Sequence, residues 1–340
     1  MHMRPEGLGV PEHASSDECS SEIYDVIGGA NVKMKIIFLI QTGVGILGNS
    51  SLLCLYSSML LTGHKVRPTD LILNQMVLAN LLVLLSKGIP QTVAAFALKY
   101  FLGDAGCKLV FYLHRVGRGV SLSTTCLLSI FQSIKLSPSN SRWLELKVRS
   151  PRYIGFFCFL IWILHLLLNI IVPLKISGSL NSRNVSVKRS YGLCSTLIPE
   201  NFMHELHAVL FSFVDIICLG LMLWASGSMV LFLQRHKQRI QHIHSNSLSP
   251  KPSHEARATH TILILVSSFV SFYFLSSILT FYISVRVNPG LWLVTMSMLL
   301  ASCFPTFSSF LLISRDTRVL QFCSFCWERK KNIFPICSHM

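Results

Sequence analysis

Five ionisable side chains stand where the surrounding sequence is almost wholly apolar, and these are the residues best suited to chemistry or recognition. Lys87 interrupts the run from Asp70 to Leu98, inside SKGIPQT at residues 86–92, beside Gly88, Pro90 and Gln91. His114, Arg115 and Arg118 lie in FYLHRVGRGVSLSTT, and Asp215 is the acid well inside the run 204–233. Spacings of four and three residues place His114 with Arg118, and Arg115 with Arg118, on adjoining parts of one helical surface. An intramembrane Lys or Arg costs about 2.5–3.5 kcal/mol at mid-span on insertion scales, so such a group faces a bundle interior or water. Two arrangements satisfy these residues. In one, Arg115 or Arg118 pairs with Asp215 as internal glue and Lys87 snorkels to the outer interface. In the other, Lys87, Gln91, His114, Arg115, Arg118 and Asp215 form the polar end of a ligand pocket. The charge count favours the second, because three permanent cations face one acid and an anionic or polar-headed ligand, or ordered water, satisfies the remainder.

Other chemistry is poorly supported. There is no H-E-x-x-H, G-x-S-x-G or P-loop, and no pair of intramembrane carboxylates, so the chain does not read as an enzyme and implies no cofactor. The histidine-rich segment QRHKQRIQHIHSNSLSPKPSHEARATH (234–260) contains no cysteine and has irregular spacing, so no metal site is expected there. Cys323 and Cys326 form a lone C-x-x-C beside basic residues; as neighbours on a short interfacial helix they are candidates for palmitoylation rather than redox chemistry.

The elements that must hold these groups follow from composition. The 340 residues are 51% hydrophobic and 13% charged, with mean hydropathy +0.54. A soluble domain carries about a quarter charged residues, so the chain belongs to the membrane class. Seven runs are near the roughly 20 residues that a helix needs to cross the hydrocarbon: 36–61, 71–97, 107–134, 153–174, 204–233, 260–285 and 290–313. None alternates with the period of a barrel strand. The expected fold is an all-α, seven-transmembrane helix bundle over 35–313, with an acidic N-terminal tail (1–34) and a C-terminal tail (314–340) that includes the interfacial helix. Pro90 and Gly88 predict a kink in the second span.

Lys/Arg bias near the span ends sets orientation. Arg142, Lys147 and Arg149 follow the third span; Arg235, Lys237 and Arg239 follow the fifth. These mark the cytoplasmic side, with the N-terminus outside and the C-terminus cytoplasmic. The formal charge of +15 is therefore assigned to topology and anionic lipid, not to nucleic acid. In this orientation the ionisable residues lie at similar depth in the outer half. Asn184-Val185-Ser186 is a glycosylation acceptor in an outer loop, 175–202. Cys107 and Cys194 both fall at the outer face, where an oxidising compartment allows a disulfide between them; Cys19 has no assigned partner.

Gly48-Asn49, Cys107, Trp162 and Pro305 match the rhodopsin-like G-protein-coupled receptor pattern, while its most diagnostic elements are replaced. Phe131-Gln132-Ser133 stands for Asp-Arg-Tyr, Leu78-Ala79-Asn80 carries an asparagine where an aspartate is usual, and FPTFSSF stands for Asn-Pro-x-x-Tyr. The strings GILGNSSL, TGHKVRPTDLIL, LKYFLGDAGCKLVFY, SLSTTCLLSIFQSIKLSP, HEARATHTILILVSSF and ASCFPTFSSFLLI closely resemble vomeronasal type-1 receptors, from about Ile36 to Ile313. The resemblance implies a pheromone receptor at the plasma membrane that binds a small molecule and couples to a heterotrimeric G protein of the inhibitory class. It also implies that the Cys107–Cys194 bridge and the Asn184 glycan are family features. Without an arginine at Gln132, the expected G-protein contacts are Gln132, Lys135, Arg142, Lys147, Arg149, Arg235, Lys237 and Arg239. A bitter-taste-like receptor shares the loss of Asp-Arg-Tyr. A secondary transporter or channel is the alternative from another class, weakened by the absence of an internal repeat and of charge along a through-path.

Overall fold

The structure is a computed structural model and describes residues 15–62, 67–88, 104–136, 141–178, 188–191, 194–197, 202–243, 254–285 and 291–315, with side chains described for part of these, the first being Ile36. Among these are seven long helices: α1 Ser15–Leu61, α2 Pro68–Val83, α3 Asp104–Leu136, α4 Ser141–Leu168, α5 Phe202–Ile243, α6 His254–Val285 and α7 Leu291–Arg315. One helical turn, Val172–Lys175, follows α4, and α2 runs into a π-helical turn at Leu84–Gly88.

Four described segments are long and apolar enough to cross a membrane: Ile36–Leu61, Pro68–Ser86, Ser212–Arg235 and Arg257–Leu279. Tyr153–Leu168 and Leu299–Arg315 are shorter apolar stretches. Their outward faces carry Phe156, Phe159, Phe213, Ile216, Trp224, Phe274 and Phe310, all exposed. A soluble monomer rarely exposes contiguous apolar surface on this scale, and lipid is the solvent that accepts it.

Helix α3 is less apolar for a different reason. It is the central helix, packed against α2, α4, α5 and α6, and its buried face is rich in small polar residues, among them Ser121, Ser123, Thr124, Thr125 and Ser129. Thr124, Thr125 and Ser129 donate to the carbonyls four residues earlier at 2.7, 2.7 and 2.8 Å. Internal bonding of this kind satisfies hydroxyls away from water. Around it, Leu52, Tyr56, Ile72, Met76, Leu122, Leu128, Met222 and Leu265 are buried in one apolar core.

Close helix approach depends on glycine. A Cβ on Gly48 would come within 2.7 Å of Ser309 Oγ, and one on Gly45 would crowd Thr306, so the two glycines let α1 lie directly against α7. Helix α2 starts sharply at Pro68, a favoured first helical residue. There the Asp70 carboxylate accepts from the Arg67 N–H at 3.2 Å while the Asp70 N–H donates to the Arg67 carbonyl at 2.9 Å.

The bundle itself is all-α, as expected, and four details depart from the expectation. Beside the bundle, Ile176–Gly178 (β1), Lys188–Tyr191 (β2) and Cys194–Leu197 (β3) form a small antiparallel sheet of order β1-β3-β2, with β1 against α3. Helix α4 begins at Ser141 and ends at Leu168, so Arg142, Lys147 and Arg149 lie on helical backbone before the expected 153–174 span. Likewise, α5 continues to Ile243 and α6 starts at His254, so helix enters the histidine-rich segment 234–260 from both ends, beyond the expected spans 204–233 and 260–285. Basic, glutamine-rich sequence is compatible with helix, and apolar length alone marks where a helix leaves lipid, not where it stops. Helix α1 also starts at Ser15, inside the segment expected as a tail.

Candidate functional site

Helices α2, α3, α6 and α7 line a cavity of about 50 Å3. Val83 comes from α2; His114, Arg118 and Ser121 from α3; Phe269, Phe272, Tyr273 and Ser276 from α6; and Leu300, Ala301, Phe304 and Pro305 from α7. The α6 residues recur at intervals of three, four and seven, which places them on one helical face. Arg118 lies eleven residues beyond Cys107, or about 16 Å along α3 at 1.5 Å per residue. A cavity volume of this kind needs only about 10–15 Å3 to hold one water, so the cavity admits a compact polar group as it stands.

Its polar end is built across three helices. The Arg118 guanidinium lies 4.9 Å from the centroid of the Tyr273 ring, a cation–π distance. The Tyr273 hydroxyl donates to Asp215 Oδ2 on α5. Behind Tyr273 the ring of Phe269 stacks at 5.9 Å, and Phe304 meets Phe269 edge-on at 4.5 Å. One ladder thus runs from the α3 cation through two α6 rings to α7, with the acid held behind it.

The floor of the cavity connects to a neutral network. Ser121 Oγ donates to Asn80 Oδ1 at 2.7 Å, and Asn80 Nδ2 donates to Ser308 Oγ at 3.0 Å. Pro305, which also lines the cavity, offers its carbonyl to Asn49 Nδ2 at 2.9 Å and to Ser308 Oγ at 3.2 Å. Asn80 stands where an aspartate was the usual residue, and its amide does what a carboxylate cannot: it accepts from one helix and donates to another.

Of the expected pocket residues, His114 and Arg118 line the cavity, and Asp215 reaches it through Tyr273. Arg115 and Arg118 are both exposed; Arg115 lies outside the lining but within electrostatic reach of Arg118 and Asp215. The backbone of Lys87 belongs to the π-helical turn, and its side chain lies outside the described residues, as do Pro90, Gln91 and Asn184. A π turn locally re-aims a helix, and it falls where SKGIPQT predicted a kink. Gly88 itself has a packing reason: a Cβ there would overlap the side chain of Thr42 on α1.

Cys107 is fully buried and disulfide-bonded, and Cys194 is the first residue of β3. Gln132, expected at the G-protein contact surface, lies inside the bundle. Its side chain is 2% exposed and donates to Thr259 Oγ1 of α6 at 3.0 Å, so it faces the core instead of the surface. Lys135 and Arg235 are exposed, while the side chains of Arg142, Lys147, Arg149, Lys237 and Arg239, and all of Cys323 and Cys326, lie outside the described residues.

The sequence reading missed Tyr273, Phe269, Phe304, Ser121 and Ser308. Aromatics at helical spacing in an apolar run read as core or lipid face. The one available signal was a hydroxyl-bearing ring, Tyr273, among phenylalanines in SSFVSFYFLSS.

Residues 32–325 match the vomeronasal organ pheromone receptor family. The chain is 59% identical over 312 residues to vomeronasal type-1 receptor 1 of Homo sapiens, covering 92% of this chain and 88% of that protein. It is 51% identical over 293 residues to vomeronasal type-1 receptor 4 of Homo sapiens, covering 86% and 97%. Olfactory receptor class A-like protein 1 of Danio rerio is 30% identical over 285 residues, covering 84% and 89%.

Proposed function

The chain belongs to the vomeronasal organ pheromone receptor family, a family of membrane receptors and not of enzymes, and we propose that it detects a small polar-headed molecule in the cavity between α2, α3, α6 and α7. The observation that carries this reading is Arg118, a permanent cation in the wall of an otherwise largely aromatic and apolar cavity. A cation in hydrocarbon is costly, and a site with few polar groups on apolar walls is the usual form of a small-molecule pocket. In this reading the seven long helices all cross the plasma membrane, with the N-terminus outside and the C-terminus in the cytosol. Cys107 pairs with Cys194, tying β3 over the outer end of α3, and Asn184 carries a glycan.

Binding at Arg118 and Tyr273 biases α6 against α3, because the ladder joins those helices; the inner ends then separate and admit a heterotrimeric G protein of the inhibitory class. Lys135, Arg142, Lys147, Arg149, Arg235, Lys237 and Arg239 form its basic contact surface, and Gln132 acts from within the bundle.

The test is G-protein activation in cells exposed to a panel of small odorants, with wild type beside Arg118→Ala at matched surface levels. Loss of the response in Arg118→Ala, with the protein still at the surface, supports the pocket. Retention of full potency removes it.

A further inference from the structure

The helices that line the cavity are held to their neighbours by two kinds of contact. Hydrogen bonds tie α7 to α1 and α2: Gln41 Nε2 donates to the Leu299 carbonyl at 3.2 Å, Asn49 Nδ2 to the Pro305 carbonyl at 2.9 Å, and Asn80 Nδ2 to Ser308 Oγ at 3.0 Å. Helix α6 is tied to α3 through Gln132 and Thr259, and to α5 through Tyr273 and Asp215. Across the seam between α6 and α7, four rings meet in two edge-on pairs, Phe269 with Phe304 at 4.5 Å and Phe272 with Phe307 at 6.2 Å. Three of these rings, Phe269, Phe272 and Phe304, line the cavity. The fourth, Phe307, is outside the lining and exposed on the outward face of α7, as is Phe310. Phe272 thus has the cavity on one side and an exposed ring on the other.

The surface at Phe307 belongs to the apolar stretch Leu299–Arg315, and Phe272 to the stretch Arg257–Leu279, so hydrocarbon is what this seam meets. Rings that part in lipid lose little, because acyl chains are as apolar as the rings they replace. Hydrogen bonds on the other seams have no such substitute in hydrocarbon. Pro305 adds compliance beside Phe304: it lies inside α7, has no N–H, and leaves the helix one bond short. The α6–α7 seam is therefore the side of the cavity that opens most easily. Arg118 lies about 16 Å along α3 from Cys107, near the middle of a hydrocarbon layer about 30 Å thick, so a sideways opening at this depth leads to acyl tails.

Resting on the reading of this cavity as the ligand site, we propose that its ligand is a lipid-dissolved molecule that enters sideways from the bilayer between α6 and α7, with Phe272 and Phe307 as the gate. Such a ligand has an apolar or aromatic body, which the ring-lined walls accept, and one small polar head, which Arg118 receives. The seam selects by solubility in lipid before the cavity selects by fit.

The experiment places the full chain in phosphatidylcholine nanodiscs containing a phosphatidylcholine with a diazirine midway along one acyl chain. The head group anchors this probe at the interface, so its tail reaches the cavity only from the side. After illumination, peptide mass spectrometry reads labelling at Phe269, Ser276 and Phe304, all buried and in the cavity wall. Exposed Phe274 and Phe310 are the lipid-facing reference, and Leu52 and Met76, fully buried elsewhere in the bundle, are the blank. In the wild type the cavity residues are expected to label above the blank. In Phe307→Ala their labelling relative to Phe274 and Phe310 is expected to rise about two- to tenfold, the population shift that loss of one aromatic pair produces. Phe272→Leu, which removes the other ring of the pair, gives the same rise and stands in if Phe307→Ala fails to fold.

Wild-type cavity residues that label no more than Leu52 and Met76 overturn the proposal. So does an unchanged ratio in a folded Phe307→Ala, or a rise shared by Leu52 and Met76, which marks loosening of the whole bundle. Arg118→Ala, read as G-protein activation, separates the two levels. If that variant loses its response while the cavity stays unlabelled, the pocket stands and its ligand arrives from water. If it keeps full potency while the cavity labels, the pocket reading fails, and the seam admits lipid without serving a ligand.

Discussion

Two polar regions occupy the same bundle and are built on opposite principles. One, outer in the proposed orientation, lies around Arg118, Tyr273 and Asp215, uses charged side chains and faces a cavity. The inner one joins helices through neutral groups alone: Asn80 to Ser121 and Ser308, Ser123 to His165 at 2.8 Å, and Gln132 to Thr259 at 3.0 Å. Asn80, His165 and Gln132 are 0%, 1% and 2% exposed. A buried neutral hydrogen bond contributes about 0.5–1.5 kcal/mol and leaves little electrostatic penalty when it opens. A buried charge left without its partner costs several kcal/mol. The difference teaches where each device is useful: charge where a ligand can meet it, and neutral bonds where helices must hold and still be free to move.

The sharpest way to break the inner region is steric. Gly119 is buried on α3, and a Cβ there would overlap the ring of His165 on α4, at the edge carrying Nδ1. His165 is fixed on its other edge by Ser123 and cannot retreat without losing that bond. Gly119→Ala is expected to destabilise the receptor by about 3 kcal/mol, at the upper end of overpacking costs, read as a lower melting temperature in detergent and reduced surface level. Adding His165→Ala should restore most of the loss; no rescue would show that the clash is not with that ring.

Next in size is the removal of Asn80. Asn80→Leu strips both hydroxyl partners at once and is expected to cost about 2 kcal/mol, within the range for unsatisfied buried groups. Asn80→Asp is expected to be at least as damaging, since the carboxylate can still accept from Ser121 but has no proton for Ser308 unless it stays neutral. If Asn80→Asp is stable and gains sodium-dependent stabilisation, the neutral description of the inner region is wrong at its centre.

These two residues also show how far the sequence reaches. The all-helical membrane class and the ionisable residues within apolar runs were legible because apolar length and ionisable exceptions are one-dimensional signals. His114, Arg118 and Asp215 were singled out in this way, and the structure brings them to one end of the bundle. Asn80 was noticed as a departure from a pattern, but its two partners, Ser121 and Ser308, are 41 and 228 residues away. Nothing in their local sequence marks them, because small polar residues on a buried face look the same whether they bond across helices or back to their own turn. The burial of Gln132 was illegible for the same reason. A polar residue at an inner helix end reads as surface, and only the position of α6 turns it inward. The β-sheet was illegible because its strands are three and four residues long, too short for alternation to register.

A smaller effect, but the most informative for function, is expected at Gln132. Gln132→Leu or Thr259→Val removes one neutral bond between α3 and α6 and should cost about 1 kcal/mol. If that bond holds the inner ends together, the loss appears as ligand-independent G-protein activation, raised about fivefold by a 1 kcal/mol shift in the two-state balance. Lower stability with unchanged basal activity would leave the bond as packing alone.

The smallest expected effect is at the rim, and it completes the contrast between charge in the cavity and charge elsewhere. Lys108 pairs with Asp104 at 2.7 Å, one turn apart on α3, with side chains 38% and 43% exposed. The charges are the same kinds as those of Arg118 and Asp215, and the pair is closer than Arg118 is to the centre of its ring. Yet exposed pairs one turn apart are worth only about 0.3–0.5 kcal/mol, because water and salt screen them and two long side chains lose freedom. Lys108→Ala should therefore shift the melting temperature by no more than about a degree and leave ligand potency unchanged. A large loss of potency in Lys108→Ala would mean that the ligand's charge is sensed on entry, at the rim as well as at Arg118.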